Sequence, residues 1–171
     1  MFQIQHGIRV LIALGVLVSD AGAAAEPERA TQLIAAIHQN NSMEMEWGQL
    51  AFAKGINLAV KDFGQQMAMA HNENEAKLLK LLGTEKWTLG PGEADAHAET
   101  QALRTKSGLE FDKAYIDATV DQHERLLARL KRDQDKLPEG PVRQFVSDTL
   151  AAGNQHTLVA KQIVLDLNAR P

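Results

Sequence analysis

Apolar residues recur at intervals of three and four over four long stretches of the chain, which is the period of an amphipathic α-helix. The stretches run from about 28 to 54, 58 to 82, 109 to 136 and 142 to 168. No stretch alternates apolar and polar residues with the period of two that a half-buried β-strand requires. The pattern therefore predicts an all-α protein with four long helices.

The segments between the predicted helices differ in length. Gly55 and Asn57 mark a tight turn, with Asn57 as an N-cap, and residues 137–141 (LPEGP) break the chain after the third helix. Such short connections join antiparallel neighbours. Residues 83–108 are a longer segment in which Gly83 is expected to end the second helix and 93–106 to form a short helix. This predicts a ferritin-like up-down four-helix bundle whose long crossover, between the second and third helices, carries a short extra helix.

The first 25 residues differ from the rest. His6 and Arg9 give a weakly basic start, residues 10–18 are apolar, and small residues with A-x-A spacing end at Ala23 or Ala25. This order is typical of a secretory signal peptide. The apolar run is too short to cross a bilayer. We therefore expect residues 1–25 to be a cleaved signal that leaves no transmembrane anchor, residues 26–171 to form one domain, and the protein to be exported to the periplasm or outer cell envelope.

Charge and composition narrow the classes of partner and chemistry. The net charge of −4 provides no basic surface for nucleic acid, so no nucleic-acid partner is expected. The chain has no cysteine, which excludes disulfides and thiolate metal ligands. The sequence identifies no protein partner and leaves homo-oligomerisation open.

Each predicted helix carries a strongly polar residue in the middle of its apolar stripe. These residues are Glu44, His71, His123 and His156. At about 1.5 Å of rise per residue, all four fall near the middle of their helices. We therefore predict that they meet in one layer. Four further polar residues lie one turn away and could bond to the layer: Asn41, Asn74, Thr119 and Thr149.

Three interpretations of this layer compete. A buried hydrogen-bonded layer would fix the register of the helices. A mononuclear metal site would combine the three imidazoles with the Glu44 carboxylate, a set that suits zinc, iron, nickel or copper(II). A dinuclear carboxylate centre requires Glu-x-x-His on two helices. The sequence contains no such motif, which disfavours the dinuclear centre.

The methionines after the first residue form a second candidate ligand set. They fall in two short pieces and are Met43, Met45, Met67 and Met69. Thioethers are soft ligands that suit copper(I). Met67 also fits the apolar stripe of its helix, where methionine is a flexible filler of the core.

Three other polar residues are given simpler roles. His38 is expected to be solvated, and the Tyr115 hydroxyl is expected to lie at the rim of the bundle. Asp112, at the start of the third long helix, is expected to stabilise that helix through its dipole.

Four segments of the chain carry a family resemblance. They are MEMEWGQLA (43–51), FGQQMAMAHNENEAKLLKL (63–81), SGLEFDKAYIDATVDQH (107–123) and TLAAGNQHTLVA (149–160). The chain resembles the exported bacterial proteins that share domain of unknown function number 4142, often labelled "predicted outer membrane protein". The resemblance implies a signal peptide and a ferritin-like four-helix fold. It implies no established activity.

These patterns predict a binding or envelope-stress role rather than catalytic turnover, with the polar layer as the candidate metal site. The alternatives are a metal-dependent oxidoreductase of the ferritin-like type and a helical protein-interaction module. An open coordination position would favour the enzyme, whereas a closed ligand set would favour binding. An exposed apolar patch on a helix pair would favour the interaction module.

Overall fold

The computed structural model describes residues 21–85, 89 and 95–169, so most of the predicted signal peptide lies outside the described residues. The helices are α1 Ala21–Lys54, α2 Leu58–Glu85, α3 Asp95–Arg104, α4 Gly108–Asp133 and α5 Pro141–Asn168, with a 3-10 turn at Gln134–Lys136. The described residues contain no strand, which confirms the all-α prediction. Within the same ranges, no helix combines the length and apolarity that a membrane crossing needs.

The ends of the helices test the predicted boundaries. The Ala59 N–H donates to Asn57 Oδ1 at 2.9 Å, which confirms Asn57 as the N-cap of α2. The prediction that Gly83 ends this helix is wrong, because α2 continues to Glu85. A side chain added at Gly83 would meet nothing within 4 Å. Glycine at such an open position costs a helix only about 1 kcal/mol, which is not enough to end it.

The four long helices pack in a ring. α1 contacts α2 and α4, and α5 contacts the same two helices. Near the end of α4, Arg129 donates to the Gln32 carbonyl near the start of α1. At the start of α4, Asp112 lies instead against the turn between α1 and α2. α1 and α4 are therefore antiparallel, and α4 begins at the end of the molecule opposite to the end of α2.

The short helix α3 lies in the connection between α2 and α4. It packs mainly against α1. The buried Trp47 Nε1 donates to Thr100 Oγ1 at 2.8 Å, and Lys54 Nζ donates to the Arg104 carbonyl at 2.6 Å. These bonds fix α3 against the same half of α1 that carries Glu44.

Asp112 has a different role from the one its position predicts. Its carboxylate is fully buried and accepts the backbone N–H groups of Ile56, at 3.2 and 3.3 Å, and of Asn57, at 2.8 Å. Both donors belong to the α1–α2 turn, so Asp112 caps another segment rather than its own helix. Charged hydrogen bonds of this kind are stronger than neutral ones.

α1 and α2 approach very closely at two glycines. A β-carbon added at Gly48 would lie 2.3 Å from the Gly64 carbonyl oxygen and 2.9 Å from the Ala68 nitrogen. One added at Gly64 would lie 2.5 Å from the Ala51 β-carbon. The hairpin can pack at this distance because neither position has a side chain.

The core consists of two apolar clusters. One is built around Trp47, Phe63, Phe111, Tyr115 and Ile163. The other is built around Ile34, Leu78, Leu130 and Val146. On each long helix, a stretch that carries polar residues lies where one cluster meets the other. These stretches are 40–44, 71–74, 119–123 and 149–156.

Candidate metal centre

The polar layer predicted from the sequence is assembled in the structure. Glu44 is 0%, His123 2% and His71 6% exposed, and His156 is half-buried. The three imidazole rings form a nearly equilateral triangle, with centroids 5.6, 5.6 and 5.7 Å apart. Because α1, α2, α4 and α5 each contribute one residue, the complete layer forms only when all four helices are packed.

His71 is oriented by a chain of hydrogen bonds. Asn41 Nδ2 donates to Glu75 Oε2 at 3.0 Å, so Asn41 Oδ1 is the acceptor on its other side. His71 Nδ1 lies 3.0 Å from that oxygen and must donate to it. Asn74 Nδ2 donates to the same oxygen, and Glu75 Oε1 lies 2.6 Å from Nδ1 of the partly exposed His38. In neutral His71 the free lone pair is therefore on Nε2.

His123 is held in the same way by a different pair of groups. Its Nδ1 lies 3.0 Å from the Thr119 carbonyl oxygen, to which it donates. Glu44 Oε1 lies 3.4 Å from the same nitrogen, an ion-pair distance at which the geometry falls short of a hydrogen bond. The Nδ1 side of His123 thus faces a carbonyl and a carboxylate, and Nε2 remains available.

Each of the three rings has one buried nitrogen without a hydrogen-bond partner. Buried and unpaired are Nε2 of His71, Nε2 of His123 and Nδ1 of His156. One ligand nitrogen from each ring lies within 4.8 Å of the others. Nitrogens bound tetrahedrally at about 2.0–2.1 Å lie roughly 3.3 Å apart, so an ion would draw the rings together by less than about 1.5 Å. Glu44 is outside this group and lies on the Nδ1 side of His123.

The electrostatics of the layer favour the neutral forms of His71 and His156 and shift His123 towards its charged form. Burial, and then the neighbouring imidazoles, lower the pKa of His71 to about 3. Burial and the charge of His123 lower the pKa of His156 to about 4. Burial also opposes the charged form of His123, but the Glu44 carboxylate and the Thr119 carbonyl outweigh it and raise the pKa of His123. Two of the three rings therefore present lone pairs at neutral pH.

Comparison with known proteins places the chain in a family. The family model described as a domain of unknown function (DUF4142) matches residues 17–163, which is most of the chain. The chain belongs to the DUF4142 family. This confirms the resemblance on which the sequence prediction drew. Searches of curated proteins and of solved structures gave no match.

The methionines of this DUF4142 domain are not gathered into one site. Met43 and Met67 lie in the first apolar cluster among aromatic residues. Met69 is 59% exposed, and Met45 is half-buried. Residues two apart on a helix point to different faces, so each piece divides between the core and the surface. Packing thus accounts for Met43 and Met67.

Two features of the DUF4142 site were missed by sequence reasoning. The pairing of His38 with Glu75 joins two helices, so no spacing within a single helix reveals it. Tyr115 is fully buried, and its hydroxyl has no hydrogen-bond partner, so the expectation that it lies at the rim is wrong. Burial, and then the charge of Glu44, raise the pKa of Tyr115. The sequence does carry a signal of this burial, because Tyr115 lies beside Ile116 and one turn before Thr119 on the stripe that faces the core.

Proposed function

We propose that this protein is an exported, ferritin-like four-helix bundle that binds one transition-metal ion through His71, His123 and His156. Two observations carry the proposal. One ligand nitrogen from each of the three rings lies within 4.8 Å of the others, and each ring has one buried nitrogen without a hydrogen-bond partner. Burying a polar atom without a partner costs about 1–3 kcal/mol, and a metal ion would satisfy all three nitrogens at once.

The outer contacts of the histidines support the same role. Metal-binding histidines commonly donate their second ring N–H to a carboxylate, a carbonyl or an amide oxygen. His71 does so to Asn41, and His123 does so to Thr119 with Glu44 beside it. Both contacts occupy Nδ1 and leave Nε2 without a hydrogen-bond partner. A layer that only fixed helix register would gain more from hydrogen bonds between the rings.

The ligand type narrows the choice of metal. Imidazole suits zinc, copper, iron and nickel as divalent ions, whereas copper(I) favours thioether or thiolate. Because the methionines divide between core and surface, the three histidines support a divalent ion. We infer zinc, copper(II), iron(II) or nickel(II) as the bound metal.

The ferritin-like fold and the location form part of the proposal. Antiparallel neighbours in a ring, with α3 in a long connection that returns to the opposite end, are the features that support this fold. The predicted signal at residues 1–25 supports export to the periplasm. A reporter protein fused to residues 1–25 should be exported, and the fused segment should be cleaved off. A fusion that is retained and uncleaved would contradict export.

Metal titration of the purified protein tests the central claim. After treatment with a chelator, the chain should bind one zinc or cobalt(II) ion, as measured by calorimetry. Free metal at 100 times Kd should raise the free energy of unfolding by about 2.7 kcal/mol. The triple variant His71→Leu, His123→Leu, His156→Leu should lose both effects, whereas the exposed control Asn154→Leu should retain them. If the parent protein shows neither binding nor a melting shift, the layer fixes register and binds no metal.

A further inference from the structure

A cavity of about 200 Å³ leads from the surface near α2 and α5 to the three histidines. All three imidazoles line it, and the exposed residues Lys77 and Asp148 also belong to its lining. Sites for drug-sized molecules measure roughly 300–1,000 Å³, so this cavity suits a ligand of only a few non-hydrogen atoms. Small molecules can therefore reach the candidate metal centre from solvent.

The ligand set leaves room for such a molecule on the ion. Among the described residues, the ligand group consists of three imidazoles, while Glu44 lies on the Nδ1 side of His123. Structural zinc sites have four protein ligands, whereas sites with three keep one position for water or substrate. All three histidines line the cavity, so a molecule in the cavity would be placed to take the remaining position on the ion.

Asn40 supplies a second, independent feature that points to a ligand. It is 2% exposed and lines the same cavity. Its side-chain oxygen is buried and has no hydrogen-bond partner. A buried amide oxygen without a donor is costly, so a molecule in the cavity that carries an N–H or O–H group would stabilise this arrangement.

We propose that the cavity binds a small ligand that coordinates the metal ion and donates an N–H or O–H hydrogen bond to the Asn40 oxygen. This inference rests on the metal function proposed above and identifies the class of molecule that the site takes. Water belongs to this class, as do small hydroxylic or N–H-bearing molecules of a few non-hydrogen atoms. An exchangeable position of this type is what a metal-dependent enzyme would need.

A pair of probes that differ in one hydrogen-bond donor tests the inference. The cobalt(II)-loaded protein would be titrated with imidazole and with 1-methylimidazole while its visible absorption is recorded. Both can coordinate through one nitrogen, but imidazole alone also carries an N–H. We expect saturable spectral changes with both, and about fivefold tighter binding of imidazole, the size expected of one hydrogen bond.

Variants distinguish the parts of the proposal. Asn40→Leu should retain one cobalt ion and lose the preference for imidazole, whereas the exposed control Asn154→Leu should keep it. Ala152→Phe, in the part of the cavity lining that α5 supplies, should weaken the binding of both probes without loss of cobalt. If cobalt binds and neither probe changes its spectrum, the coordination is closed and the inference is wrong, although the metal function stands. The inference is also wrong if Asn40→Leu still binds imidazole more tightly than 1-methylimidazole. If no cobalt binds, both proposals fail.

Discussion

Glu44 is a fully buried carboxylate that lies beside His123, outside the group of possible ligands. A buried charge is stable only when it is paired, and His123 with its raised pKa provides the partner. The sequence predicted Glu44 as a fourth ligand. The structure instead supports a role in orienting His123 and increasing the basicity of its ring.

This role predicts the effect of Glu44→Gln, which keeps the shape of the side chain and removes its charge. Loss of an outer-shell carboxylate commonly weakens metal binding by about 10–100-fold, so we expect a weakening in that range. Competition with a chelating dye would measure the affinity. Glu110→Gln, on the exposed side of α4, should bind metal as the parent does. Equal affinities for the parent and Glu44→Gln would show that Glu44 has no part in the site.

The sequence predicted which residues of each helix face the core. It was less able to predict which atom of a side chain contacts which neighbouring helix. A stripe of apolar residues with one polar member specifies which face is buried, and this located all three histidines. It does not specify which ring nitrogen points to the centre, because that depends on Asn41 and Thr119. Tyr115 was misplaced for the same reason, since its burial depends on the helices packed around it.

At the scale of whole elements, the α1–α2 hairpin depends on contact between backbones. Gly48 and Gly64 lie where a β-carbon would approach the opposing helix to 2.3–2.5 Å. This contact lies one turn from Glu44 on α1, and two turns from His71 on α2. The close approach of the hairpin therefore helps to determine the distance between these two residues.

Two glycine substitutions should have opposite effects on stability. Gly48→Ala improves helix propensity but forces α1 and α2 apart, so we expect a loss of at least about 1–3 kcal/mol. Gly83→Ala meets nothing within 4 Å and should gain roughly 0.5–1 kcal/mol. Urea denaturation of the three proteins would measure both. A loss in Gly83→Ala as large as that in Gly48→Ala would contradict the close packing at Gly48.

The predicted boundaries were reliable where side-chain chemistry determines them. Asn57 caps α2 as expected, and residues 137–141 separate α4 from α5. The prediction that α2 ends at Gly83 was wrong because glycine weakens a helix without ending it. Asp112 misled because a carboxylate near one helix N-terminus can cap a turn elsewhere, and sequence does not show which turn is nearby.

At the scale of the whole molecule, the polar layer divides the core into two apolar clusters, and its protonation links stability to pH. His71, with a pKa of about 3, and His156, with a pKa of about 4, stay neutral where an unfolded histidine gains a proton. Between those values and about pH 6.5, the unfolded chain binds more protons, so stability falls as pH falls. The raised pKa of His123 has the opposite effect, since its contribution is present below about pH 6.5 and is lost as pH rises through the folded pKa.

We therefore expect the free energy of unfolding of the metal-free protein to fall by about 1–2 kcal/mol between pH 6.5 and pH 5. His71 dominates this change, the partly exposed His156 adds less, and His123 offsets part of it. Urea denaturation at a series of pH values would measure the slope. His71→Leu should flatten it, because the variant has no proton to gain at this position in the unfolded state, whereas the exposed control Asn154→Leu should leave it in place. If the stability of the parent protein is constant or rises on acidification, this expectation is wrong. The layer would then take up protons without cost, as a hydrated cluster does.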